Sequence, residues 1–250
     1  MSVKMLRRGS LFVVPMVGLV LLTSSVASAL PVSEAPGSVV HTTYFAGYNA
    51  SVATSVQKVT GTLTVPTVTC PASGYANLNS GVILSGPGSM FTEVFIICSN
   101  GTMPQPPLFE VGVNGTSGPD KGGMGSVWAS PGDKLSFTLK QSASSATLVG
   151  LIEDKTTGYS ASATGPGSID PVAGMPLSVE AGTMASGNGS GSTVVPAFAP
   201  GFTIGSLRIG TSTLTSFSPT KSEMFHGATL QISTSKISTG GSFTNAFVHS

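Results

Sequence analysis

Apolar and polar residues alternate with a period of two along most of this chain. Lys134–Lys140 alternates cleanly, with Leu135, Phe137 and Leu139 on one face, the pattern of a half-buried strand. Val59–Val65 does the same with Val59, Leu63 and Val65 inward, and Thr229–Ser233 alternates around Leu230 and Ile232. Phe91–Ile97 and Ala146–Ile152 are denser in apolar residues, as strands covered on both faces are. Turn chemistry separates these runs: Ser130-Pro131-Gly132-Asp133, Thr156-Thr157-Gly158, Gly86-Pro87-Gly88 and Ser99-Asn100-Gly101. No stripe with a 3.6-residue repeat interrupts them. Many short strands joined by Gly/Pro turns predict an all-β fold, an antiparallel β-sandwich or jelly roll.

The N-terminus departs from this pattern. Lys4, Arg7 and Arg8 precede the largely apolar run Leu11–Leu22, and Ala27-Ser28-Ala29 offers small residues for cleavage. The run is short of the ~20 residues of a membrane span, so residues 1–29 read as a secretory signal peptide. Residues 30–43 read as a flexible arm or short propeptide and residues 44–250 as a single sandwich domain. The Gly/Ser-rich stretch from Met184 to Thr193 is expected to be a surface loop within it. The expected location is secreted, with no membrane association after cleavage.

Composition narrows the function. Charged residues are only 8% of the chain and the formal net charge is +1, against roughly 25% charged in an average domain. Losing Lys4, Arg7 and Arg8 would leave 8 basic residues against 10 acidic ones. No basic field exists to bind nucleic acid. His41, His226 and His249 lack the paired spacing of metal ligands, and no P-loop or Gly-x-Ser-x-Gly elbow occurs. No cofactor and no metal are expected, and the domain reads as a monomer. Cys70 and Cys98, the only cysteines of an exported chain, are expected to form a disulfide.

Carboxylates are the remaining chemistry. Glu93 and Glu110 sit in two apolar runs joined by a turn-rich stretch. A hairpin centred near Gly101–Thr102 would bring them nearly opposite each other. Like charges that close raise one pKa and can share a proton; the alternative is that both face water and titrate separately. Trp128 is read as a core residue beside the turn at Ser130.

A run of segments resembles the eqolisins, the secreted glutamic peptidases of fungi and bacteria. Gly47-Tyr48 and Val59-Thr60-Gly61-Thr62-Leu63-Thr64-Val65-Pro66-Thr67-Val68-Thr69-Cys70-Pro71 are similar to the opening segment of that family. Glu93, Cys98, Phe109-Glu110, Ser130-Pro131-Gly132-Asp133, Leu151–Gly158, Val179-Glu180-Ala181 and Val195-Pro196-Ala197-Phe198 follow in register. The resemblance spans roughly residues 44–234 and implies a sandwich of two curved antiparallel sheets, concanavalin-like. It implies a concave groove with Gly81, Ser85 and Phe109 in it. Eqolisins use a glutamine and a glutamate, and these positions fall on Val94 and Pro176, neither of which can transfer a proton. The resemblance therefore implies a non-catalytic relative that binds a polypeptide or other extracellular ligand in its groove. The alternative is a secreted acid endopeptidase that uses other carboxylates, with Glu93, Glu110 and Glu180 the candidates.

Overall fold

The computed structural model describes residues 39–114, 122–142, 146–172, 174–187 and 195–248. The expected signal peptide and most of the 184–193 loop lie outside them. Among the described residues eighteen strands follow one another, with one 3₁₀ turn at Leu214–Phe217. They are β1 (Val39–Thr42), β2 (Phe45–Val52), β3 (Lys58–Thr64), β4 (Thr67–Thr69), β5 (Tyr75–Ser85) and β6 (Ser89–Ser99). Then come β7 (Leu108–Asn114), β8 (Gly123–Trp128), β9 (Lys134–Gln141), β10 (Thr147–Asp154), β11 (Ser160–Pro166) and β12 (Leu177–Gly187). The last are β13 (Ala197–Ala199), β14 (Phe202–Ile209), β15 (Ser212–Thr213), β16 (Thr220–His226), β17 (Thr229–Thr234) and β18 (Phe243–Phe247).

The strands join edge to edge in the order β11-β10-β9-β3-β14-β18-β17-β16-β2-β12-β5-β6-β7-β8. This long sheet folds back on itself, so that β10 and β11 lie against β6, β7 and β8. Two antiparallel layers result, a β-sandwich as the alternation predicts. One layer sends Leu78, Leu84, Met90, Ile96, Phe109 and Val111 inward; the other sends Leu63, Leu135, Leu139, Leu148 and Ile152. Gly150 is required where the layers interlock, because a Cβ there would sit 2.3 Å from Cγ2 of Val111. At the open end of the fold, Cβ atoms on Gly123 and Gly125 would strike the backbone oxygens of Thr164 and Ser162 at 2.6 and 2.5 Å. The two glycines on that face of β8 let β11 pack closely against it.

One expectation needs adjustment. Val39–Thr42, placed in a flexible arm, form β1, which pairs in parallel with β16 from Val39 opposite Lys221 to Thr42 opposite Met224. Backbone hydrogen bonds to β16, which no local pattern reveals, recruit this segment. The expected disulfide is present: Cys70 and Cys98 are bonded with Cα atoms 5.3 Å apart. It ties the segment after β4 to the end of β6.

Candidate active site

The outward face of the β8-β7-β6-β5-β12-β2 layer carries the candidate chemistry. Side chains of paired residues share a face, so the register reads as rows across the strands. One row runs Ser126, Glu110, Glu93, Gly81, Gly182, Gly47. On one side of it lies Met124, Gly112, Phe91, Ile83, Glu180, Asn49. On the other lies Trp128, Leu108, Phe95, Asn79, Met184, Phe45. Ser85 belongs to a serine row beyond, paired with Ser89 and Ser178.

The glycines are covered by rings. The para-carbon of Phe45 lies 2.8 Å from where a Cβ on Gly47 or Gly182 would stand, and Phe91 lies as close over Gly112. Phe45 is buried yet stands apart from the central core cluster. It roofs the glycine end of the row.

Glu93 and Glu110 are direct cross-strand partners, as a hairpin centred near Gly101–Thr102 requires. Both are partly buried. Burial pushes the Glu93 carboxyl up to about 7; the Asn79 amide, donating to Oε2 at 3.1 Å, pulls it down, and the Glu110 charge adds to the rise. Burial also raises Glu110 and Glu180. Glu180 sits opposite Ile83, two residues along β5 from the Glu93 level and two strands across. No cation offsets these charges: the ion pairs among the described residues are Lys155–Glu153 and Lys221–Glu223. Three carboxyl groups raised together on one cation-free face are the kind of perturbation that functional sites carry. The pair can do acid–base work, with one group protonated while its neighbour is ionised. Among the described residues no three His, Cys, Asp or Glu side chains cluster as a metal site requires.

The other residues singled out in the sequence fall differently. Gly81 lies in the central row beside Glu93 and Ser85 is exposed on the same face. Val94 is fully buried on the opposite, core side of β6, and Phe109 is likewise fully buried; neither lines the groove. Pro176 is exposed and precedes β12. Val94 and Pro176 cannot act together. Val94 is level with Ser80, whereas Pro176 lies beyond Ser178, which is level with Ser85. That offset alone is ~17 Å of strand. Trp128, read as a core residue, is 56% exposed, because β8 turns it away from β11. Asn79 escaped the sequence reading. Its parity with Gly81 places it on this face, but only the register brings its amide to Glu93.

The fold superposes on solved structures of peptidases. Scytalido-glutamic peptidase, solved with a peptide-based transition-state analogue, superposes with a TM-score of 0.59 at 13% identity over 82% of this chain and 98% of that one. SCP-B, described as a member of the eqolisin family of peptidases and solved with the tripeptide Ala-Ile-His, gives 0.55 at 12% over the same shares. The chain has the eqolisin fold. At these identities the likeness is one of architecture, and the eqolisin fold by itself assigns no residue a role. No protein-family model and no curated protein matches the chain. Among the described residues no helix is long and apolar enough to cross a membrane.

Proposed function

We propose that this chain is an exported acid endopeptidase whose working groups are Glu93 and Glu110. The observation that carries the reading is their direct pairing on a partly buried, cation-free face. Val94, buried in the core, and Pro176, exposed before β12, do not meet, so the carboxyl groups of the outward face are the candidates for the chemistry. A peptide substrate is supported by the ligands of the two structural neighbours, a peptide-based analogue and a tripeptide. Export is supported by the leader-like N-terminus and by the disulfide.

The chemistry assigns the two groups opposite duties. Glu93 holds its proton up to about pH 7, so in acid it is the general acid. Where the pH leaves Glu110 ionised while Glu93 is still protonated, Glu110 takes a proton from a water molecule as that water attacks the peptide carbonyl. Glu93 then gives its proton to the leaving nitrogen as the C–N bond breaks. Proton transfer from Glu110 to Glu93 through the next water restores the starting state. Asn79 holds the Glu93 carboxyl in place through Oε2.

The test is cleavage of an unfolded polypeptide by the purified chain across acid pH, with Glu93→Gln and Glu110→Gln. Wild type should cleave, with activity falling as pH rises through about 7. Each substitution should cost roughly 10²–10⁴-fold, the usual worth of general acid–base assistance. Absence of cleavage by wild type, or cleavage that neither substitution reduces, overturns the proposal. A second reading, a groove that holds polypeptide without cutting it, is favoured by the Phe45 ring roofing Gly47 and Gly182 beside the pair. Under it, peptide binds to wild type and no fragments appear.

A further inference from the structure

The end of β8 carries a hollow that the proposed proton transfers do not use. Its volume is about 450 Å³, within the range of small-ligand sites. Val127, Trp128, Ser130, Asp133, Thr157 and Tyr159 line it. Trp128 is 56% and Tyr159 69% exposed, so two large rings stand in water at its rim, where burying them against a ligand would be favourable.

Two turns build the walls beforehand. In one, the Ser130 amide donates to Oδ2 of Asp133 at 2.7 Å and the Asp133 amide to the Ser130 carbonyl at 3.0 Å. In the other, the Thr157 hydroxyl donates to Oδ2 of Asp154 at 2.6 Å, and the Asp154 amide donates to the Tyr159 carbonyl at 2.8 Å. The Asp133 carboxylate and the Thr157 hydroxyl are thus already engaged within the protein. No Lys or Arg lines the hollow. Besides the hydroxyls of Ser130 and Ser160, it offers a ligand two aromatic faces and a valine, which suits an uncharged, bulky group better than a sugar with its ring of hydroxyls.

The hollow also lies at a useful distance from the acids. Trp128 pairs with Leu108 on the same face as Glu110, which makes it a diagonal neighbour of Glu110 at ~7–8 Å. An extended peptide repeats its side chains on one face every ~6.6 Å. A substrate with its scissile bond at the carboxyl pair therefore brings a side chain one or two positions away over Trp128.

We infer that the hollow between Trp128 and Tyr159 is a specificity subsite that takes a large aromatic or aliphatic side chain of a polypeptide substrate. The inference rests on the hydrolytic reading above, and its test separates the two. Trp128 is the only tryptophan in the chain, so its emission reports on the hollow directly. The full chain, wild type and Glu93→Gln, is titrated with a blocked peptide carrying one phenylalanine, with its alanine counterpart, and with a neutral oligosaccharide. The phenylalanine peptide should change Trp128 emission saturably, at concentrations about tenfold lower than the alanine peptide. Tyr159→Ala should weaken the response several-fold with the melting temperature unchanged, since Tyr159 is mostly exposed. Equal responses to both peptides, no response, indifference to Tyr159→Ala, or a response to the oligosaccharide alone overturns the subsite. Cleavage without side-chain preference and without an emission change removes the subsite and leaves the hydrolysis. Tyr159-dependent binding of the phenylalanine peptide with no cleavage retains the subsite and removes the hydrolysis.

Discussion

Replacing Glu93 with glutamine should stabilise the protein at neutral pH and leave it unchanged in acid. The carboxyl moves from its ordinary 4.5 to about 7 on folding, chiefly through burial. The folded chain therefore holds this proton more tightly than the unfolded chain. Below pH 4.5 both states are protonated and the group costs nothing. Between 4.5 and about 7 the unfolded state releases its proton first, so stability falls as pH rises through that window and levels off above it. The loss is roughly 3 kcal/mol, at ~1.4 kcal/mol per tenfold change in proton affinity. Burial raises Glu110 and Glu180 in the same sense, which adds to the slope. Glutamine keeps the size of the side chain and an oxygen to accept from Asn79, but carries no charge to desolvate. For a chain of this size ~1 kcal/mol moves the melting temperature by ~2–4 °C, so at pH 8 the variant should melt about 6–12 °C above wild type. At pH 4 the two should coincide. Thermal or urea unfolding at both pH values gives the comparison. A gap between variant and wild type that is the same at pH 4 and pH 8, or a wild type more stable at pH 8, would refute the reasoning.

Reduction of the Cys70–Cys98 bond, or Cys98→Ser, should lower stability by ~3–4 kcal/mol, because the bond closes a 28-residue separation; melting with and without reductant checks this. Gly125→Ala should destabilise by ~1–3 kcal/mol, since the new Cβ would meet the Ser162 carbonyl oxygen at 2.5 Å. The same change at Gly132, whose φ is +90° and where a Cβ meets nothing within 4 Å, should cost only the ~1–2 kcal/mol of a left-handed residue that is not glycine; urea unfolding of both variants checks the two values.

Much of the architecture was legible in the residues themselves. Alternation through Leu135, Phe137 and Leu139 specifies a strand with one buried face, and β9 buries those three. The turn residues between Ser99 and Thr102 set the centre of the β6–β7 hairpin, and with it the pairing of Glu93 and Glu110. Two cysteines in the whole chain left one partner each. These follow from short-range chemistry, which the chain carries locally.

Which face of β6 meets the core was decided only by the tertiary structure. Met90, Val94 and Ile96 point one way and Phe91, Phe95 and Ile97 the other, so both faces are apolar and the period of two cannot say which one is buried. A one-residue change in that assignment moves every side chain to the opposite face. That is why Val94, the position of the family's glutamine in the resemblance, lies in the core, and why Glu93 takes the outward position. Phe109 is buried because its face of β7 meets the folded-back half of the sheet. Trp128 is exposed because the glycine-bearing face of β8 is the one that packs on β11. Contacts between strands far apart in sequence made these choices, and the alternation within one strand is equally compatible with either outcome.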